Sequence, residues 1–158
     1  MQKKDMEAKA RIGKVSLVIS ARSGAGDITA LRNLRIRQAI RLINEQYQQT
    51  GLTLGQIAGQ LNLSVWHLSR LFKKETGESV KQYLRAVRMI KAQELLLNSV
   101  FSIKEIAAAV GYNHVSDFDH HFKATFNMRP GEYRQVHSDE ANLSRSKNAQ
   151  QIASNPNE

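Results

Sequence analysis

The pattern that most limits the fold of this chain is one that occurs twice. Ile57-Ala58 returns as Ile106-Ala107 at an offset of 49, while Phe72-Lys73 returns as Phe122-Lys123 and Tyr83 as Tyr133 at an offset of 50. One extra residue in the second turn accounts for the shift. Self-similarity at a fixed period marks a supersecondary unit used more than once. Each copy reads as a short helix, a tight turn and a second helix, and the stretch between the copies reads as one long helix. The predicted fold class is all-α, with two helix-turn-helix subdomains joined by a linker helix, about seven helices in all.

In the first copy, Thr53 and Gln56 have capping-box spacing and open a helix near 54–60, buried through Leu54, Ile57, Ala58 and Leu61. Asn62 and Leu63 turn the chain, Ser64 caps the next helix, and Gly77 stands where a left-handed residue closes it. Ser79 with Gln82 opens the long helix, which runs to about Leu97 with Val80, Tyr83, Leu84, Val87, Ile90 and Leu95 on its apolar side. At about 1.5 Å per residue it is long enough to hold two small units apart. In the second copy, Ser102 and Glu105 form a capping box ahead of Ile103, Ile106, Ala107 and Val110. Gly111 turns the chain, and a helix from His114 to about Thr125 aligns Phe118 and Phe122 with Phe126. Asn127 replaces Gly77 as the closing residue, and Pro130 suits the first position of a last helix through Tyr133.

Ahead of the first copy, Asp27 is a candidate N-cap for a helix to about Gln48, with Ile36, Ile40, Ile43 and Tyr47 on its buried face and Gly51 ending it. Gln2 to Arg11 suits a charged helix, and Lys14 to Ser20 alternates like a strand that has nothing to pair with. Ser23-Gly24-Ala25-Gly26 breaks regular structure. The expected organisation is a mobile segment or linker over 1–26, the first subdomain with its linker helix over 27–98, and the second subdomain over 99–137. A polar tail over 138–158, rich in Ser, Asn and Gln, is expected to be disordered.

Charge points to the partner. The net charge is +9, and residues 32–137 carry 15 Lys/Arg against 8 Asp/Glu, so the surplus belongs to the folded region rather than to a basic arm. Such a surface attracts polyanions. The chain has no cysteine, which removes disulfides and thiolate metal sites. No run approaches the roughly 18 apolar residues of a membrane span, and Lys3, Lys4 and Lys9 precede no apolar core of a signal peptide. A soluble cytoplasmic protein with no membrane contact is expected.

With Leu68 at the origin of a wheel of about 100° per residue, Leu71 and Phe72 fall within about 60° of it. Trp66 falls at about 160°, Lys73 at about 140° and Arg70 at about 200°. A large aromatic between two cations on the solvent side has no packing reason to be there; it suits a flat, anionic partner such as nucleic acid.

These residues resemble the AraC/XylS family of bacterial transcription activators over roughly Leu31 to Arg134. SVWHLSRLFKKETGESVKQYLRAVRM is similar to the first motif of the small stand-alone multiple-antibiotic-resistance activators, and IKEIAAAVGYNHVSDFDHHFKATFNMRPGEYR keeps the I-A-x-x-V-G-Y, F-x-x-x-F-K and P-x-E-Y-R skeleton. The resemblance implies a seven-helix domain that places two recognition helices in successive major-groove segments of double-stranded DNA. Each base pair shows a distinct pattern there, and one helical turn is roughly 34 Å. By the same resemblance Trp66, Ser69 and Arg70 reach base edges in the first motif, with Arg70 suited to guanine O6 and N7. Ser64, Lys73, Lys74 and Lys123 would hold phosphates, which position without reading sequence. With Phe118 at the origin of a wheel, the outward positions of the second motif are Ser116, Asp119, His120 and Lys123, and Ser116, Asp119 and His120 are the expected readers there. There the pattern departs from the family: His120 stands where arginine is common, and Asp117 and Asp119 bring negative charge near the groove. The second unit is therefore expected to bind weakly, mainly through the backbone.

Trp66 could cap the edge of a small core, Arg70 could join a surface ion pair, and Lys73 and Lys74 could be a solvated face. The three phenylalanines read as core rather than a stacking platform. His114, Asp117, Asp119, His120 and His121 are metal-ligand types, but on one helix they scatter: His121 falls on the buried edge and His120 on the side away from it. A metal hydrolase is thus disfavoured, and no catalysis and no cofactor are expected. The remaining rival is a module that docks mainly on RNA polymerase or another regulator. No ligand-sized sensory domain fits into residues 1–26, so a signal would act through abundance, a partner or a domain outside this chain.

Overall fold

Asn33 opens the part of the chain that a computed structural model describes, residues 33–138. Its side-chain oxygen accepts from the Arg35 backbone N–H at 3.0 Å and starts α1, Leu34–Gln46. The expected start of this helix at Asp27 is corrected by that cap: Asn33 is extended, at φ −95° and ψ 111°, so the helix begins after it. Asp27, the elements expected in 1–26 and the tail beyond 138 lie outside the described residues.

The chain continues through α2 (Leu54–Gln60), α3 (Val65–Thr76), α4 (Val80–Asn98), α5 (Ile103–Ala109) and α6 (Val115–Phe126). A further helix, α7, spans 130–138, so it runs past its expected end at Tyr133 and takes in Ser138. Among the described residues these seven helices are the only regular structure, without a strand. Local chemistry sets their ends. Both capping boxes and that of Ser79 form with each partner in place, and each such cap is worth about 1 kcal/mol. Gly77 at φ 79° and Asn127 at φ 59° close α3 and α6 in the left-handed conformation, as their residue types favour.

Two cores lie on either side of α4. Ile36, Ile40 and Ile43 of α1 pack with Ile57, Leu68 and Phe72 against Tyr83 and Val87. The second core gathers Ile106, Val110, Phe118, Phe122 and Tyr133 around Met89, Ala92 and Leu96. The linker helix is therefore buried on two faces, and the expected single stripe ending at Leu95 is corrected: Leu96 is the fully buried leucine, and Leu95 only borders the second core. Both cores are apolar, with each fully buried Val, Leu, Ile, Phe or Met side chain contributing roughly 1.5–3 kcal/mol. The repeat is visible down to ring geometry. Phe72 meets Tyr83 edge-on at 5.5 Å and Phe122 meets Tyr133 edge-on at 5.6 Å. The one-residue shift is localised too. Leu63 N donates to Ala58 O and Tyr112 N to Ala107 O, both at 2.9 Å and still 49 apart, so the extra residue falls between Tyr112 and His114.

Candidate nucleic-acid interface

The core of the first unit aims α3. With Leu68 and Phe72 fully buried, the opposite side faces out. Trp66 is 67% exposed, and Arg70, Lys73 and Lys74 are exposed along the same helix. The Arg70 guanidinium carbon lies 5.4 Å from the centre of the Trp66 ring, so the aromatic and the cation form one feature. Ser64 is exposed, and its hydroxyl accepts from His67 N at 3.2 Å, which leaves its own O–H free to donate. Ser69 is half-buried at the edge of this face.

The second unit repeats the scheme with different chemistry. Phe118 and Phe122 are fully buried, Phe126 borders the same core, and Ser116, His120 and Lys123 are exposed. His114 makes no side-chain cap to α6, and Asp117 occupies the first turn, where the helix dipole favours an anion. Asp119 is half-buried and accepts from Arg129 Nη1 at 3.1 Å. Its carboxylate is thus already engaged with a cation of its own chain, which changes what it offers to a base edge. Arg129 gives no signal in the sequence because it sits ten residues from Asp119, across the left-handed turn at Asn127, and no helical spacing joins the two.

The metal-ligand residue types around α6 are spread among separate partners. His121 Nδ1 lies 2.9 Å from the Tyr112 hydroxyl, Asp119 is held by Arg129, and His120 is exposed. Partial burial holds the His121 imidazole below its ordinary range, helped by the positive surroundings of Arg85, His120 and Lys81 and opposed by Asp117. Lys81 and Arg85 on α4 thus act electrostatically on the His121 ring of α6. They stand off the apolar stripe, which was the available signal. Among the described residues no helix is long and apolar enough to cross a membrane.

The arrangement is therefore a pair of helices, each held by its core with a polar face turned outward, cationic on α3 and mixed in charge on α6. A family model described as a helix-turn-helix domain matches residues 57–136, half of the chain. The "Probable transcription factor PqrA" of Proteus vulgaris is 30% identical over 101 residues, covering 63% of this chain and 83% of that protein. The chain belongs to the AraC/XylS family. The "Msm operon regulatory protein" of Streptococcus mutans is 37% identical over 99 residues, 63% of this chain and 35% of the relative. The C-terminal domain of AraT, a response regulator from Geobacillus stearothermophilus, superposes with a TM-score of 0.65 at 38% identity, covering 66% of this chain and 86% of that one. The chain spans about a third of the length of the first curated relatives it matches.

Proposed function

We propose that this chain is the sequence-specific, double-stranded-DNA-binding part of a transcription regulator. It inserts α3 and α6 into adjacent major-groove segments. The carrying observation is the exposed Trp66–Arg70 pair on a helix whose other side is fully buried. On this reading Trp66, Ser69 and Arg70 read bases, while Ser64, Lys73, Lys74 and Lys123 hold phosphates. Ser116 and His120 face the groove in the second unit; Asp119 acts there chiefly by holding Arg129. The first unit dominates, since α6 carries two carboxylates where α3 has none before Glu75.

The role is binding, without catalysis or cofactor, and RNA polymerase is the expected second partner of such a regulator in the cytoplasm. A sensory domain outside this chain is consistent with the length of its relatives. Footprinting a genomic fragment library with the chain tests the reading. The expected result is protection of two segments about one helical turn apart, with log K falling steeply with log salt. Binding indifferent to sequence, or a flat salt response, would favour a protein-docking module instead.

A further inference from the structure

The two units do not merely hang from a shared helix; they touch where the end of α1 meets the turn of the second unit. Arg88, near the middle of α4, donates from Nε to Tyr47 O at 2.9 Å and from Nη2 to Gln49 O at 2.8 Å. These carbonyls lie just past the end of α1, where a helix leaves backbone acceptors without partners. The same guanidinium lies 5.5 Å from the centre of the Tyr112 ring, in the turn of the second unit. Tyr112 in turn meets His121 of α6 at 2.9 Å. Gly111 completes the contact: a Cβ there would stand 2.6 Å from Tyr47 O, 2.9 Å from Arg88 Nη2 and 3.0 Å from Gln48 O. The absence of a side chain lets the second turn close onto the end of α1. Tyr47 borders both cores.

We propose that Arg88, seated in the cleft that Gly111 leaves open, is the positioning residue that fixes the separation and phase of α3 and α6, and thereby makes the chain selective for the number of base pairs between the two halves of its site. The inference rests on the DNA-binding reading above. A linker helix alone leaves the two cores free to rock about its axis, whereas a planar fork bound at two carbonyls and stacked on a ring has one geometry. The phase matters because one added base pair moves a half-site by about 3.4 Å and turns it by about a tenth of a helical turn. A rigid pair of helices cannot follow that step without losing contacts.

The test uses the full chain and a duplex that the wild type selects from a random-sequence library, remade with one base pair added or removed between its halves, and a duplex carrying only the first half. Wild type is expected to lose at least about tenfold in affinity when the spacing changes, comparable to the cost of one mismatched pair. Arg88→Ala and Arg88→Met, the latter keeping the buried stem if the former fails to fold, are expected to bind all three spacings within about threefold of one another. Both should bind the first-half duplex as wild type does. Lys73→Ala, which removes one charge elsewhere, is expected to weaken every spacing alike. A folded Arg88 variant that discriminates spacings as sharply as wild type overturns the proposal, as does one equally weakened on the first-half duplex. A wild type that selects no sequence sinks the DNA-binding reading and this inference together, whereas a sharp wild type matched by Arg88→Met sinks this inference alone.

Discussion

The guanidinium of Arg70 and the indole of Trp66 stand 5.4 Å apart, one turn from each other on the exposed side of α3. An exposed cation over an aromatic face gains only about 0.5–1 kcal/mol, so the pair does little for folding. Its effect is to restrict where the Arg70 fork points. Arg70→Ala is expected to cost roughly 1–3 kcal/mol of DNA affinity and to relax preference at one base pair. Titrating the variant against single-base substitutions of the selected site shows this; an equal loss at every position would assign Arg70 to a phosphate.

Lys73 lies one turn further on, in the last turn of the same helix. Lys73→Ala is expected to weaken binding to all sequences alike and to reduce the slope of log K against log salt by about one unit. A change confined to one base position would contradict the phosphate role.

Arg129 and Asp119 form the cross-turn ion pair of the second unit. Removing the arginine leaves a carboxylate facing a polyanion. Arg129→Ala is expected to weaken DNA binding by about tenfold or more, and adding Asp119→Asn to recover part of that loss. Additive losses in this double-mutant cycle would show that the two side chains act independently. On the same logic His120→Arg should tighten binding by supplying a fixed positive charge on the exposed side of α6.

Gly111 and Gly59 make a contrasting pair. Gly111 has φ 90° and no room for a Cβ, whereas nothing lies within 4 Å of a Cβ at Gly59, inside α2. Gly111→Ala is expected to destabilise by at least about 2 kcal/mol, from left-handed strain and overpacking. Gly59→Ala is expected to stabilise by roughly 0.5–1 kcal/mol. Chemical denaturation of both variants decides it, and matching midpoints would be fatal to the argument.

His121 is held below its ordinary range first by burial and then by the cations Arg85 and Lys81 and by His120, against Asp117. A histidine whose folded value is depressed binds fewer protons than its unfolded form, so its contribution is complete above the unfolded value of about 6.5 and is lost as pH falls below it. The melting temperature should fall as the pH drops below about 6.5, and His121→Asn should flatten that fall. An unchanged pH profile in the variant would remove His121 from the account.

Much of this molecule is legible along the chain because it is written in local chemistry. Thr53 with Gln56, Ser79 with Gln82 and Ser102 with Glu105 mark helix starts within four residues, and Gly77 and Asn127 mark helix ends by their tolerance of the left-handed conformation. The inward phase of Leu68, Phe72, Phe118 and Phe122 follows from helical spacing, and it leaves Trp66 and Arg70 outside. The start of α1 is not legible in this way, because Asp27 and Asn33 are equally good caps as residue types, and only the extended backbone of Asn33 marks where the helix begins.

Caps and periodicity act over a few residues, so most helices, their duplication and the outward side of each can be read along the chain. Folding in three dimensions adds that α4 serves two cores, that Asp119 belongs to Arg129, and that Arg88 reaches the end of α1 beside Gly111. Those contacts join residues that no helical spacing brings together, some about forty positions apart, and a pairing at that range exists only once both cores have closed around the linker helix.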